Sequence, residues 1–467
     1  MPKVNMGSRR RHSFYQLLTG SAAAVWLMTP GTAWADCTPD PTPANGSVTC
    51  TGSDADGLTI NTNQTTVNVQ AGATVSSMTA TTIGDFDLFK TANPSPYSYY
   101  YPYPFANNIT INTSGQISGG LTVLSGTAII NHANSPSTNV TLNVASGGSV
   151  SGATAINLIA DPAALNPLQA RAYIGIDNSG SIQSTTGPAI TGNSAYYSGV
   201  GFLRNRPGGV IGAIQVPVSY FYNSGTIDGG TASAMTFAQS GTTVPGFPSG
   251  SWNNDGSILS AGSPATLDVQ TGYSSELTLY NSGTIRNAGS GSAISYNTIY
   301  KRMSLTNAAG GSISSANGTA IVSNADMSIS NSGTISGAGT AIDVAGGLHL
   351  TGSGTITGSV NAGASGSAGS TIDLSGGQTI NGNLTLGGGD DVVLVNYAGS
   401  LSGVPGVTGT VNAGGGTNRL TYKFASDATL GSAQTLPATF SVLGLDIASG
   451  ATVTLDTGFA PQGLITL

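Results

Sequence analysis

Catalytic or metal chemistry on this chain would have to come from few side chains, since charged residues make up only 7% of 467. Close carboxylate pairs occur at Asp54/Asp56, Asp85/Asp87 and Asp390/Asp391, and the nearest basic pair, Arg204/Arg206, lies in a Pro-Gly-Gly context read as a loop. Cleavage of an acidic polysaccharide needs carboxylates clustered beside Arg or Lys, often around calcium. These pairs are scattered, so they read as solvated loop charges. A nucleophile-histidine arrangement fares no better. Beyond residue 35 the histidines are His132, in Asn131-His-Ala-Asn134, and His349, in the outward slot of Leu348-His-Leu350, and neither adjoins a nucleophile context. No catalytic residue is assigned, no cofactor is expected, and the chain reads as non-enzymatic.

Two cysteines, Cys37 and Cys50, enclose a turn-rich segment. In an oxidising compartment they should pair, and closing that loop is worth roughly 2–3 kcal/mol. Two ligands close no zinc site. Gly387-Gly-Gly-Asp390-Asp391-Val-Val-Leu394 resembles the calcium-binding nonapeptide of secreted repeat toxins, but the next candidate, Gly414 to Leu420, carries Asn418 in place of Asp. Asp390 and Asp391 are therefore weak metal candidates, against the plainer reading of a Gly-rich turn capped by Asp.

The residues that must position any such groups belong to a repeated phrase, Leu-x-Leu-x-Asn-Ser-Gly-Thr-Ile. Copies run from Ile109 to Ile117, Ile174 to Ile182, Tyr220 to Ile227, Leu277 to Ile285, Met327 to Ile335 and Leu348 to Ile356, with looser ones at Val140 to Val150 and Met303 to Ile313. By parity Leu277, Leu279, Asn281, Gly283 and Ile285 share one side, and Thr278, Tyr280, Ser282 and Thr284 the other. A period of two is a strand pattern, with the aliphatic side inward. The Asn-Ser-Gly tolerates positive φ and should bend the strand. Asn178, Asn223, Asn281, Asn307 and Asn331 either form a column of amide hydrogen bonds between stacked turns or each cap their own turn, and the sequence leaves both open.

A second strand type precedes the later copies, as Gly291-Ser-Ala-Ile294, Gly318-Thr-Ala-Ile321 and Gly339-Thr-Ala-Ile342. Three strands per unit with short polar turns predict an all-β chain, a right-handed parallel β-helix built as a three-sided solenoid with an N-terminal cap. About 17 to 20 coils at ~4.8 Å would make a rod of roughly 80–95 Å. With 68 Gly and one Glu, Glu276, the exterior must be made soluble mainly by hydroxyls and amides.

Residues 1–35 read as a signal peptide, with Arg9, Arg10 and Arg11 before an apolar stretch from Leu17 to Met28 and small residues at Ala33-Trp-Ala35. Its removal leaves nine basic against 20 acidic residues, a formal charge of −11 in place of −7. That balance makes nucleic acid an improbable partner. Residues 36–80 are assigned to the cap and first coils, 81–107 to an inserted Tyr/Pro-rich loop, and 108–467 to the β-helix. Within the insert, Tyr97, Tyr99, Tyr100, Tyr101, Tyr103 and Phe105 form either a contact loop or a lid over the first coils. Further loops are expected at Asp161 to Ala172, Ala195 to Pro217 and Ala238 to Ser251.

The signal peptide, the early cysteine pair, the Asn-Ser-Gly-Thr-Ile phrases and the later Gly-rich segments together resemble the passenger region of a Gram-negative autotransporter, over most of residues 36–467. The resemblance implies export, passage across the outer membrane and display on the cell surface or release, with adhesion as the expected role. It implies as partners the outer-membrane translocation machinery, or a barrel absent from this chain, and a surface glycan or protein ligand. Such proteins normally end in a membrane β-barrel, whereas Ala451-Thr-Val-Thr-Leu455 is still written in the passenger pattern. The expectation is a chain that stops short of its barrel. The rival readings are a polysaccharide-acting β-helix enzyme and a calcium-stabilised surface structural protein.

Overall fold

The computed structural model describes residues 36–62, 64–81, 107–124, 138–159, 172–192, 198–238, 251–271, 276–298, 302–363, 368–432, 436–459 and 463–466. Among them there is no helix, and nearly every strand pairs in parallel with the equivalent strand of the next coil. The all-β parallel β-helix is the observed fold.

Each regular coil contributes three strands in the expected order, as in Leu277–Asn281, Thr284–Asn287 and Ile294–Thr298. The first type stacks into an 18-stranded sheet, whose opening strand alone, Cys37–Thr38, runs antiparallel to its neighbour Ser47–Cys50. The other two types form separate ladders that merge into one 25-stranded sheet where Thr334–Val344 and Thr355–Ala362 run through the corner between them. Beyond Val411–Asn412 the pattern changes. The first ladder continues through Arg419–Phe424, Val442–Ile447 and Leu464–Thr466, accompanied by a two-stranded pair, Ala428–Leu430 with Val453–Leu455.

Register explains the core. Ile258, Ile285, Ile313, Ile335 and Ile356 follow one another in successive rungs of the second ladder, each at most 1% exposed. A one-residue slip would turn every one of them to solvent, so the hydrophobic pattern pins the stack. The Cys37–Cys50 disulfide forms as expected and ties the antiparallel strand to the first parallel rung.

The Asn-Ser-Gly corner bends differently from the expectation. Positive φ occurs at Gly147, Gly310 and Gly352, in copies that depart from that wording, but where the corner reads Asn-Ser-Gly neither the Asn nor the Gly takes one. Glycine is required there because stacked corners approach too closely for a side chain. A Cβ on Gly283 would lie 2.1 Å from the carbonyl oxygen of Gly256, and one on Gly333 would lie 2.2 Å from that of Gly311. The approach lets the Ser282 and Gly283 N–H groups both donate to the Asn254 carbonyl, at 2.9 and 3.0 Å.

The segment Ala195 to Pro217 was expected to be a loop, and from residue 198 onward it is a coil. Ser198–Asn205, Val210–Ile211 and Ile214–Gln215 occupy the three ladders, with a bulge at Gly201 that hid the alternation. The expected loops at Asp161 to Ala172 and Ala238 to Ser251 fall almost wholly outside the described residues.

Candidate binding surface

Inside the first corner the asparagines form a continuous column. Asn178 Nδ2 donates to Asn205 Oδ1 at 2.8 Å, Asn205 to Asn223 at 2.8 Å, Asn223 to Asn254 at 2.7 Å and Asn254 to Asn281 at 2.7 Å. Asn281 donates to Asn307 at 2.8 Å and Asn307 to Asn331 at 2.8 Å. All seven are fully buried. The second hydrogen of an Nδ2 goes to corner carbonyls, for example Gly256 and Thr284 from Asn254. Of the two sequence readings the column is the one observed. Asn205 and Asn254 belong to it and were missed, because Arg206-Pro-Gly-Gly and Asp255-Gly replace the Ser-Gly of the phrase. At Gly352 the column has no amide to continue it, and Asn331 Nδ2 reaches Gln378 Oε1 at 3.4 Å.

This interior column holds the outward strand positions in line. One residue before the asparagine, Asn68, Asn112 and Asn143 stack in register with Asp177, and their amides are linked at 2.9 and 2.8 Å. The same row continues through Arg204, Tyr222, Asn253 and Tyr280. Eight rungs at ~4.8 Å make a track about 34 Å long. Its first half borders a groove of about 420 Å³ lined by Asn68, Asn112, Asn143, Asp177 and Arg206 among others. Its second half is aromatic. Tyr222 and Tyr280 are 41% and 40% exposed, and two positions back along the strand Phe202 and Tyr220 stand in adjacent rungs at 41% and 67%. The Phe202 ring lies over Gly175, where a Cβ would meet it at 2.1 Å.

At the junction Asp177 accepts two hydrogen bonds from Arg206, at 2.5 and 2.6 Å, and Arg204 lies 3.8 Å away. Arg204 lies within strand Ser198–Asn205 and not in the expected loop, whereas Arg206 is a solvated loop charge, as read from the sequence, that also pairs with Asp177. With both carboxylate oxygens engaged by Arg206, Asp177 serves as an anchor for the arginine.

Asp54, read from the sequence as a solvated loop charge, is buried, and the Asp390/Asp391 pair is split between coils. Asp390 is exposed and accepts from the Thr417 N–H at 2.6 Å, whereas Asp391 is buried and accepts from the Ser370 N–H at 2.6 Å. The two carboxylates serve different coils, and the reading of Asp391 as a solvated loop charge is corrected by its burial. The Asp391 Oδ2 has no hydrogen-bond partner. Burial pushes the Asp391 carboxyl above the ordinary carboxylate range, against the lowering effect of the Ser370 N–H. A raised folded-state pKa favours the folded state at low pH and penalises it once the pH exceeds the unfolded value, about 3.9. Asp391→Asn should therefore raise the melting temperature near neutral pH, with the gain shrinking as the pH falls toward 4; melting curves across that range check it. His349 is exposed in its outward slot, as expected. Residues 1–35, expected to be a signal peptide, Asp85/Asp87, His132 and the expected aromatic insert with Tyr97, Tyr99, Tyr100, Tyr101, Tyr103 and Phe105 lie outside the described residues.

Comparison with protein-family models, curated proteins and solved structures returns no match to this chain.

Proposed function

We propose that this chain is a non-enzymatic passenger of the autotransporter kind, exported and displayed on the cell surface or released, and that it acts as an adhesin. The observation that carries the reading is the outward track from Asn68 to Tyr280. It gives the rod a long, straight contact surface in which amides, one ion-pair group and exposed aromatic rings are spaced by the coil repeat.

A linear surface glycan suits that surface. Sugar rings present apolar C–H faces and hydroxyl edges, which match tyrosine rings and the amides of Asn68, Asn112 and Asn143. Tyr222 and Tyr280 lie two rungs apart, about 10 Å, so consecutive parts of an extended chain can meet both. Tyrosine supplies such contact area at low conformational cost. Membrane passage, on this reading, depends on outer-membrane translocation machinery.

Binding of the purified chain to immobilised linear glycans and to cell surfaces tests the role. The double substitution Tyr222→Ala and Tyr280→Ala should weaken retention by about tenfold or more, equivalent to ~1.4 kcal/mol, with melting unchanged because both rings are solvent-facing. Retention unaffected by that pair would sink the track as the contact surface, and turnover of the bound glycan would replace the adhesin reading with the enzyme one.

A further inference from the structure

The first coil carries a second feature that the binding track does not use. Asp54 ends the strand Ser53–Asp54 and pairs in register with Val75, which is followed by Ile117 in the next rung. A carboxylate thus occupies the interior position that later coils fill with Val or Ile. Asp54 is only 5% exposed. Its Oδ1 accepts from the Gly57 N–H at 2.7 Å, while its Oδ2 is buried with no partner. One oxygen each from Asp36, Asp54 and Asp56 lie within 4.8 Å of one another. None of the ion pairs among the described residues involves them.

Three like charges gathered at the end of an apolar core repel one another and lose hydration, so the arrangement calls for a counter-charge. Burial, followed by the proximity of Asp56 and Asp36, holds the Asp54 carboxyl above the ordinary carboxylate range even though the Gly57 N–H opposes the shift. Asp54, a member of this group, is buried and keeps one carboxylate oxygen without a partner, so a counter-charge bound by the group would satisfy it. The donors are all oxygen, which selects a hard cation. Asp36 and Asp56 are exposed and leave room for waters, favouring the larger, more adaptable calcium ion over magnesium with its strict octahedron.

We propose that Asp36, Asp54 and Asp56 bind one calcium ion that closes the N-terminal end of the solenoid beside the Cys37–Cys50 disulfide. The ion would neutralise the interior carboxylate and tie Asp36 to the Asp54–Gly57 turn. The site stands apart from the adhesin reading and from Asp390 and Asp391.

The test is calorimetric titration of the purified chain with calcium chloride to about 10 mM, well above the ~10⁻⁴–10⁻³ M constants typical of extracellular calcium sites. One saturable site per chain is expected. Asp56→Asn, an exposed substitution, should weaken it at least tenfold with the disulfide still formed, and Asp54→Asn should abolish it. Asp390→Asn should leave it unchanged. Absence of saturable heat would overturn the proposal, as would binding that survives Asp54→Asn together with Asp56→Asn. A calcium-independent stability lost as the pH rises through the α-amino range, about 8, would also overturn it, because the chain's own ammonium group at a processed Asp36 would then be the counter-charge.

Discussion

Asn281→Leu should destabilise the central coils by about 2–5 kcal/mol, although leucine shares the branched outline of asparagine and is more apolar. The substitution strips the Asn254 Nδ2 of its 2.7 Å acceptor and the Asn307 Oδ1 of its 2.8 Å donor. Each buried polar group left unpaired costs about 1–3 kcal/mol, while the leucine regains part of the loss through apolar burial. Apolar residues are not foreign to this position, since Val69 and Val144 fill it in the first coils. The penalty comes from interrupting a column that is already amide on both sides. Asn254→Leu with Asn281→Leu should therefore cost less than the two single substitutions added together, by about 0.5–3 kcal/mol, because the bond between the two amides is lost once. Stability in a solenoid is shared between neighbouring coils, so hydrogen exchange should show the loss concentrated between residues 251 and 315. A single substitution costing under about 1 kcal/mol, or strict additivity of the pair, would mean that each asparagine merely caps its own turn.

That column shows how far the sequence reaches. Alternation in Leu277-Thr-Leu-Tyr-Asn281 is enough to place Asn281 inward with Leu279 and Tyr280 outward with Thr278, and the structure agrees. Alternation cannot say which residues of different coils meet. That depends on turn lengths and on register, and the overlooked asparagines, Asn205 and Asn254, are followed by Arg206-Pro-Gly-Gly and Asp255-Gly in place of Ser-Gly. The row through Arg204, Tyr222, Asn253 and Tyr280 is hidden for the same reason, since its members stand in different phrases and align only through the register. Asp391 had a local signal. Two-residue spacing puts it on the side of Val393 and Val395, which are buried. The Gly-rich context drew the reading toward a surface turn instead. Asp54 obeys the same rule less visibly, because its strand is two residues long and gives no alternation to count. The corner glycines illustrate a different limit: flexibility and close packing call for the same residue, and only the stacking of the corners, which would put a Cβ on Gly283 2.1 Å from the Gly256 carbonyl oxygen, separates them.

Trp252→Ala should be the most damaging single substitution in the core beneath the track, at about 3–5 kcal/mol. Trp252 takes the interior position held by Leu279, Leu305 and Ile329 in the following rungs and is 1% exposed. Its ring centroid lies 5.5 Å from that of Phe221 in the preceding rung and 4.6 Å from that of Phe237 across the interior. Removing the indole leaves a cavity bounded by two aromatic rings, and the backbone hydrogen bonds of both ladders restrain its collapse. Trp252→Phe should recover most of the loss, because the indole Nε1 is already without a hydrogen-bond partner and its deletion gives up no bond. The two variants also separate support from contact. Asn253 stands in the binding row between Tyr222 and Tyr280, immediately after Trp252. A sagging rung should therefore weaken glycan retention together with stability in Trp252→Ala, restore both in Trp252→Phe, and contrast with the tyrosine pair, where retention alone falls. If Trp252→Ala lost stability with full retention, the aromatic positions would hold their spacing without the core beneath them, and the rod would be a looser template than its register implies.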